Sequence, residues 1–168
     1  EVDVTVDLDR AAAPRAATGI GFFDHMLEQL GAHGGFTLAV NVVGDLAVDE
    51  HHTVEDTALA LGEALRRALG SKRGIQRYGF TLPMDEALAE AAIVGEFPRA
   101  NVGGLAVEMV PHFCKSLADT LGASLHIKVH GDNAHHMVEA VFKAIGRCLR
   151  QAIARDGSQA LPSLSLIH

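Results

Sequence analysis

The segment His51-His52-Thr53-Val54-Glu55 recurs as His135-His136-Met137-Val138-Glu139, so the chain carries an HHxxE motif twice. On a helix, His51 lies four residues from Glu55 and His52 three, which sets both imidazoles one turn from the carboxylate. Neighbouring positions diverge by about 100° around a helix axis, so one imidazole can join the carboxylate at an ion while the other faces a different ion or partner. Imidazole nitrogen with carboxylate oxygen and no thiolate is a donor set for Mn, Fe, Zn, Ni or Co, whereas Ca and Mg take all-oxygen shells. The competing reading is a polar helix N-terminus, where Asp49, Glu50 and Glu55 suit the dipole and the histidines are merely exposed. The second copy favours the metal reading.

The elements that must hold these motifs repeat as well. The offset of 84 from His51 to His135 also aligns Val54 with Val138, Ala60 with Ala144, Gly62 with Gly146, Leu65 with Leu149, Arg66 with Arg150 and Ala68 with Ala152. Each motif follows an alternating apolar run, residues 36–44 and 124–131, which read as strands. Each strand follows a helical stretch with a histidine near its start, residues 23–30 with His25 and 111–117 with His112. Val2 to Leu8 alternates strictly and predicts a half-buried antiparallel strand. An Ala-rich stretch with Pro14 leads to a turn or short strand at Thr18-Gly19-Ile20-Gly21. The first motif helix should put Arg66 and Arg67 outside and stop at Gly70. Residues 80–93 read as two short strands joined near Pro83, with Asp85 and Glu86 at the bend. The second His-bearing helix is expected from near Leu105, and the last helix from about Ala134 to Ala154. The order is therefore α+β: duplicated ββαβα half-domains, each a mixed or antiparallel sheet with helices on one face. The halves are placed at 1–84 and 85–168, forming one compact unit in which helices of the two halves meet.

Bulk properties narrow the function classes. With 168 residues, 48% hydrophobic and 21% charged, the chain has the composition of a soluble globular protein. A net charge of −7 argues against a nucleic-acid binder, which needs a basic stripe. The two cysteines form no disulfide framework, and neither a signal peptide nor a membrane span is evident, so a cytoplasmic location is expected. The first residue already opens a strand and is not Met, so further N-terminal residues are expected. The most basic segment, Ser71 to Gly79, could present Lys72, Arg73 or Arg77 to an anion, or simply be solvated charge at a helix end.

Five segments in order, Phe23-Asp24-His25-Met26-Leu27, Asp49 to Asp56, Lys72-Arg73-Gly74-Ile75, Pro83-Met84-Asp85-Glu86 and Gly131 to Ala140, closely resemble imidazoleglycerol-phosphate dehydratase of histidine biosynthesis. The resemblance spans nearly the whole chain. It implies dehydration of imidazole glycerol phosphate to imidazole acetol phosphate with two Mn2+ per active site. It also implies a homo-oligomer, a 24-mer with metal sites between subunits, and a duplicated fold. Carried over, His25, His51, His52, Glu55, His112, His135, His136 and Glu139 match the metal ligands, and Gln29, Arg77 and Lys143 match substrate-contacting positions. Both cations suit a phosphate. Three departures stand out. The family's Ser-Gly-Arg-Pro segment has no counterpart after Ile93, where the chain is about a dozen residues shorter and lacks a phosphate-binding arginine. Pro162-Ser163-Leu164-Ser165 stands where the family has Pro-Ser-x-Lys-Gly. The family segment carrying a candidate acid/base glutamate would precede Glu1.

The implied chemistry removes a proton from a carbon with no adjacent carbonyl, so an electron sink is needed, and a ring coordinated to metal is one. Glu55 and Glu139 are poor candidates for the base if they hold metal. Asp85, Glu86 and Asp49 remain open as catalytic candidates, and Asp132 could orient a ligand histidine. Two alternatives are a two-metal phosphoester hydrolase, although histidine outnumbers carboxylate here three to one, and a non-catalytic metal-assembled cage.

Overall fold

The computed structural model describes residues 1–79, 88–90, 97–155 and 157. Within the first half, β1 (Val2–Asp7), β2 (Arg15–Ala17), α1 (Gly21–Gly34), β3 (Thr37–Val42) and α2 (His51–Leu69) follow the expected order. The second half runs β4 (Leu88–Glu90), β5 (Asn101–Val102), β6 (Leu105–Ala106), α3 (Met109–Leu121), β7 (Lys128–His130) and α4 (Ala134–Ala152). The first sheet is mixed, with β3 central: β1 pairs with it antiparallel from Val2 opposite Val42 to Asp7 opposite Thr37, and β2 pairs parallel. In the second half β4 pairs antiparallel with β7, and β5 with β6. The boundary expected at 84 and 85, the bend with Asp85 and Glu86, the junction after Ile93 and the C-terminal tail fall outside the described residues.

Of the two readings of Thr18 to Gly21 the turn holds, with bends at Thr18 and Gly19 and a φ of 84° at Gly19, and the short strand lies just before it at Arg15–Ala17, paired beside β3. Two expectations are corrected. The second His-bearing helix begins at Met109, since Gly103 and Gly104 turn the chain into a β5–β6 hairpin that uses Leu105. The strand expected over 124–131 is Lys128–His130, paired with β4.

The helices do not stay within their halves. α1 lies along α4 and α2 along α3, which buries one continuous core shared by the first sheet, the β5–β6 hairpin, β7 and all four helices. Phe23 of α1, Phe113 of α3 and Phe142 of α4 meet at its centre with ring centroids 5.0 to 6.4 Å apart. Both helix pairs approach closely at glycine. A Cβ on Gly146 would stand 2.5 Å from the Leu30 carbonyl oxygen and 3.0 Å from Gly34 N; on Gly62 it would stand 2.9 Å from the Leu117 oxygen. These glycines are equivalent under the offset of 84, so the same crossing is built twice. Cys114 is buried in this core, which pushes its thiol up to about 12, and neither it nor Cys148 is bridged.

The far ends of the helices are tied by the segment after α2, which stops at Gly70 as expected. Lys72 does not reach toward an anion. Its ammonium donates to the Leu121 and Gly122 oxygens at 2.8 and 3.1 Å, closing the end of α3, and burial holds its pKa below the usual lysine value. Gln76 N and Arg77 N then donate to the Ala154 oxygen just beyond α4 and to the Ala152 oxygen at its end.

The obstacle at Gly146 is backbone, which cannot rotate away. Gly146→Ala should therefore destabilise the protein by about 2 kcal/mol despite its better helix propensity, read as a lowered thermal midpoint against wild type.

Candidate metal centre

Both HHxxE motifs open helices, and both openings are fixed by a side chain. Asp49 Oδ1 accepts the His51 N–H at 2.9 Å. Asn133, the residue capping α4, accepts from His135 N at 2.9 Å and His136 N at 3.3 Å. Asp49 and Asn133 are equivalent under the repeat. Asp49, a candidate base from the sequence, thus spends one oxygen on the helix end.

The His-bearing helices are held differently. Asp24 Oδ1 accepts from Thr18 N at 2.7 Å and from the buried Thr18 hydroxyl at 2.6 Å, which pins the first turn of α1 beside His25. Glu50 Oε1 accepts from Ala106 N at 3.0 Å and so ties the start of α2 to the hairpin leading into α3. Neither role was read from the sequence. The Asn133 cap carries a recognisable signal, an Asn just ahead of a periodic helix; Asp24 and Glu50 act on partners that periodicity does not reveal.

The helix pairing assembles ligands across the halves. Glu55 of α2 stands with its own His51, Nε2 to Oε2 3.5 Å, and with His112 of α3, Nε2 to Oε1 3.2 Å. One donor atom from each of the three lies within 4.8 Å of the others. The His112 Nε2 is buried without a hydrogen-bond partner. At the other seam, Glu139 of α4 stands 3.6 Å from His25 Nε2 of α1 and 2.9 Å from the Lys143 ammonium. His135, one turn before Glu139, packs its ring 4.9 Å from that of Phe22. Burial raises the Glu139 carboxyl, but the hydrogen bond and charge of Lys143 outweigh it and hold the group below the usual carboxylate range.

The His52 and His136 rings stand nearly perpendicular to those of His51 and His135, at 89° and 85°, with centroids 6.0 and 5.7 Å apart. His52 Nδ1 instead meets Asp45 at 3.0 Å; that hydrogen bond raises the exposed imidazole's pKa and lowers that of the exposed carboxyl. The chain thus brings together His51, Glu55 and His112, and His25 with Glu139, while presenting His52 elsewhere. Gln29 lies half-buried one turn beyond His25 on α1. Arg77 is bound at the far end of α4 by its backbone, nine residues beyond Lys143 and so about 13 Å along the helix. Among the described residues its Nη1 is buried without a hydrogen-bond partner.

Among the described residues, no helix is long and apolar enough to cross a membrane.

Fold and site together define a duplicated α+β protein with paired histidine–glutamate clusters at the seams between its halves. The chain belongs to the imidazoleglycerol-phosphate dehydratase family, whose model matches residues 18–149. It is 58% identical over 173 residues to the histidine biosynthesis bifunctional protein HisB of Stenotrophomonas maltophilia strain K279a, covering 97% of this chain and 48% of that protein. To the HisB of Xanthomonas axonopodis pv. citri strain 306 it is 53% identical over 190 residues, covering 96% and 50%. The chain thus spans about half the length of the curated relatives it matches. The crystal structure of imidazoleglycerol-phosphate dehydratase from Staphylococcus aureus N315 superposes with a TM-score of 0.82 at 29% identity, covering 92% of this chain and 94% of that one. The Pyrococcus furiosus structure, in complex with (S)-C348, gives 0.76 at 32% identity, covering 95% and 93%.

His33, in the last turn of α1, has its pKa held below 6.5 by burial and by the cations of Arg147 and Lys143. Just below pH 6.5 the unfolded chain therefore binds a proton at this residue that the folded chain does not, so its contribution to stability falls as pH drops. His33→Gln should accordingly gain stability relative to wild type between pH 7 and pH 5.5, measured as the difference in denaturant midpoints.

Proposed function

We propose that this chain catalyses the dehydration of imidazole glycerol phosphate to imidazole acetol phosphate in the cytoplasm, with two Mn2+ per active site. The observation that carries the reading is the His51–Glu55–His112 cluster. Two imidazole nitrogens and a carboxylate oxygen share a space of ion size, and one nitrogen is buried with no other partner. This is a borderline-metal donor set, so the residues fit the ions. Glu55, His51 and His112 would hold one ion and Glu139, His25 and His135 the other. His52 and His136 would complete clusters of neighbouring subunits in a homo-oligomer, a 24-mer. When bound, the metal supplies Lewis acidity that draws electron density from the substrate's ring.

The protein's own groups do the rest. Lys143, one turn along α4 from Glu139, would offer its ammonium to the phosphate of the substrate, and Gln29, one turn along α1 from His25, would contact substrate as well. Arg77, about 13 Å further along the helix than Lys143, would serve a phosphate held at a neighbouring subunit. The reaction removes one proton from carbon and expels one hydroxyl, which leaves as water after protonation. With Asp49 engaged at the helix end, Asp85 and Glu86 stand as the chain's remaining candidates for the base.

The deciding experiment follows dehydration of imidazole glycerol phosphate through chelation and Mn2+ re-addition. Activity should vanish with the metal and return with it. Release of inorganic phosphate would mark a hydrolase, and stoichiometric metal without turnover a cage; either overturns the proposal. Glu55→Gln should lower kcat/KM and metal affinity together, each on the order of 100-fold or more, measured by steady-state kinetics and metal analysis.

A further inference from the structure

The repeat makes the two clusters comparable residue by residue, and the partners of their glutamates differ. One turn beyond Glu139 stands Lys143, its ammonium 2.9 Å from the carboxylate, with the two side chains only 17% and 18% exposed. One turn beyond Glu55, the equivalent residue is Leu59, which has no charge to offer. The difference continues along the helices. Arg147 on α4 corresponds to Glu63 on α2, and Glu63 is itself bound by Arg66 and Arg67. On the helix facing Glu55, Lys115 is 75% exposed and paired with Asp119 at 2.7 Å. Glu55 thus meets two imidazoles, whereas Glu139 meets an imidazole and a fixed ammonium. An ion entering at Glu139 must displace that ammonium or sit beside a like charge, and the weak exposure of the pair leaves little water to screen it.

We propose that the chain's two sites bind their ions unequally. The His51–Glu55–His112 site is the tighter, and Lys143 sets the difference by occupying the carboxylate at the other. The inference rests on the two-metal reading above. It assigns Lys143 a part in metal loading that is separate from any contact with substrate.

The test is a Mn2+ titration of the full chain after chelator treatment, followed by the electron paramagnetic resonance of free Mn2+. Wild type should show two classes of site with Kd values on the order of tenfold apart. Glu55→Gln should remove the tight class and Glu139→Gln the weak one. Lys143→Met should draw the weak class toward the tight one. Leu59→Lys, at a position 39% exposed, should weaken the tight class, and it gives an independent reading if the Lys143 variant does not fold. A single class in wild type, or classes whose spacing neither variant changes, would overturn the inference while leaving the two-metal reading intact. Failure to bind Mn2+ at all would overturn both.

Discussion

Helices that meet at glycine come closer than side chains otherwise permit, and in this protein the distance between α1 and α4 and between α2 and α3 is set that way, at Gly146 and Gly62. The geometry of the histidine–glutamate clusters depends on it. Glu55 and His112, or Glu139 and His25, come from different helices and reach the same few ångströms only when the helix axes are near. Each glycine lies seven residues, about two turns, beyond its glutamate. A change in the crossing is therefore carried along the helix to the cluster. The aromatic contact of Phe23, Phe113 and Phe142 fills the space between the two pairs and keeps them in register with each other.

The two ends of the helical layer have different duties. At the ends bearing the motifs, backbone N–H groups are satisfied by Asp49 and Asn133, which leaves the histidines themselves available. At the opposite ends, the chain from Lys72 to Arg77 closes α3 with a side chain and meets the end of α4 with main-chain bonds. Lys72 and Arg77 adopt positive φ angles of 53° and 70° to do so. Non-glycine residues seldom occupy that region, and here the surrounding hydrogen bonds hold them in it.

Much of this was legible in the sequence because the signals are local. The alternation in Val2 to Leu8, the stop at Gly70 and the periodicity behind each HHxxE motif are properties of short windows, and the repeat at 84 residues doubled each of them. What was not legible depends on partners distant in sequence. Arg15–Ala17 has no alternation and becomes a strand only because β3 lies beside it. Leu105 to Val110 is apolar enough to read as the start of a helix, and the Gly103-Gly104 turn makes its first residues one side of a hairpin. Lys72 read as a cation meeting an anion or as solvated charge at a helix end, because its acceptors lie 49 and 50 residues away. At the site, the motif gave His51 with Glu55. That the third ligand would be His112, from the other half, follows from helix pairing, which a hydrophobic face does not specify.

That cross-pairing makes the two halves interdependent. Each cluster draws its glutamate from one half and a histidine from the other, so neither half alone would complete one. Two identical half-length copies related by a twofold axis would complete two identical clusters, as an isologous dimer does. A single chain is free of that symmetry, so a difference at one position, such as Leu59 against Lys143, bears on one cluster without its twin.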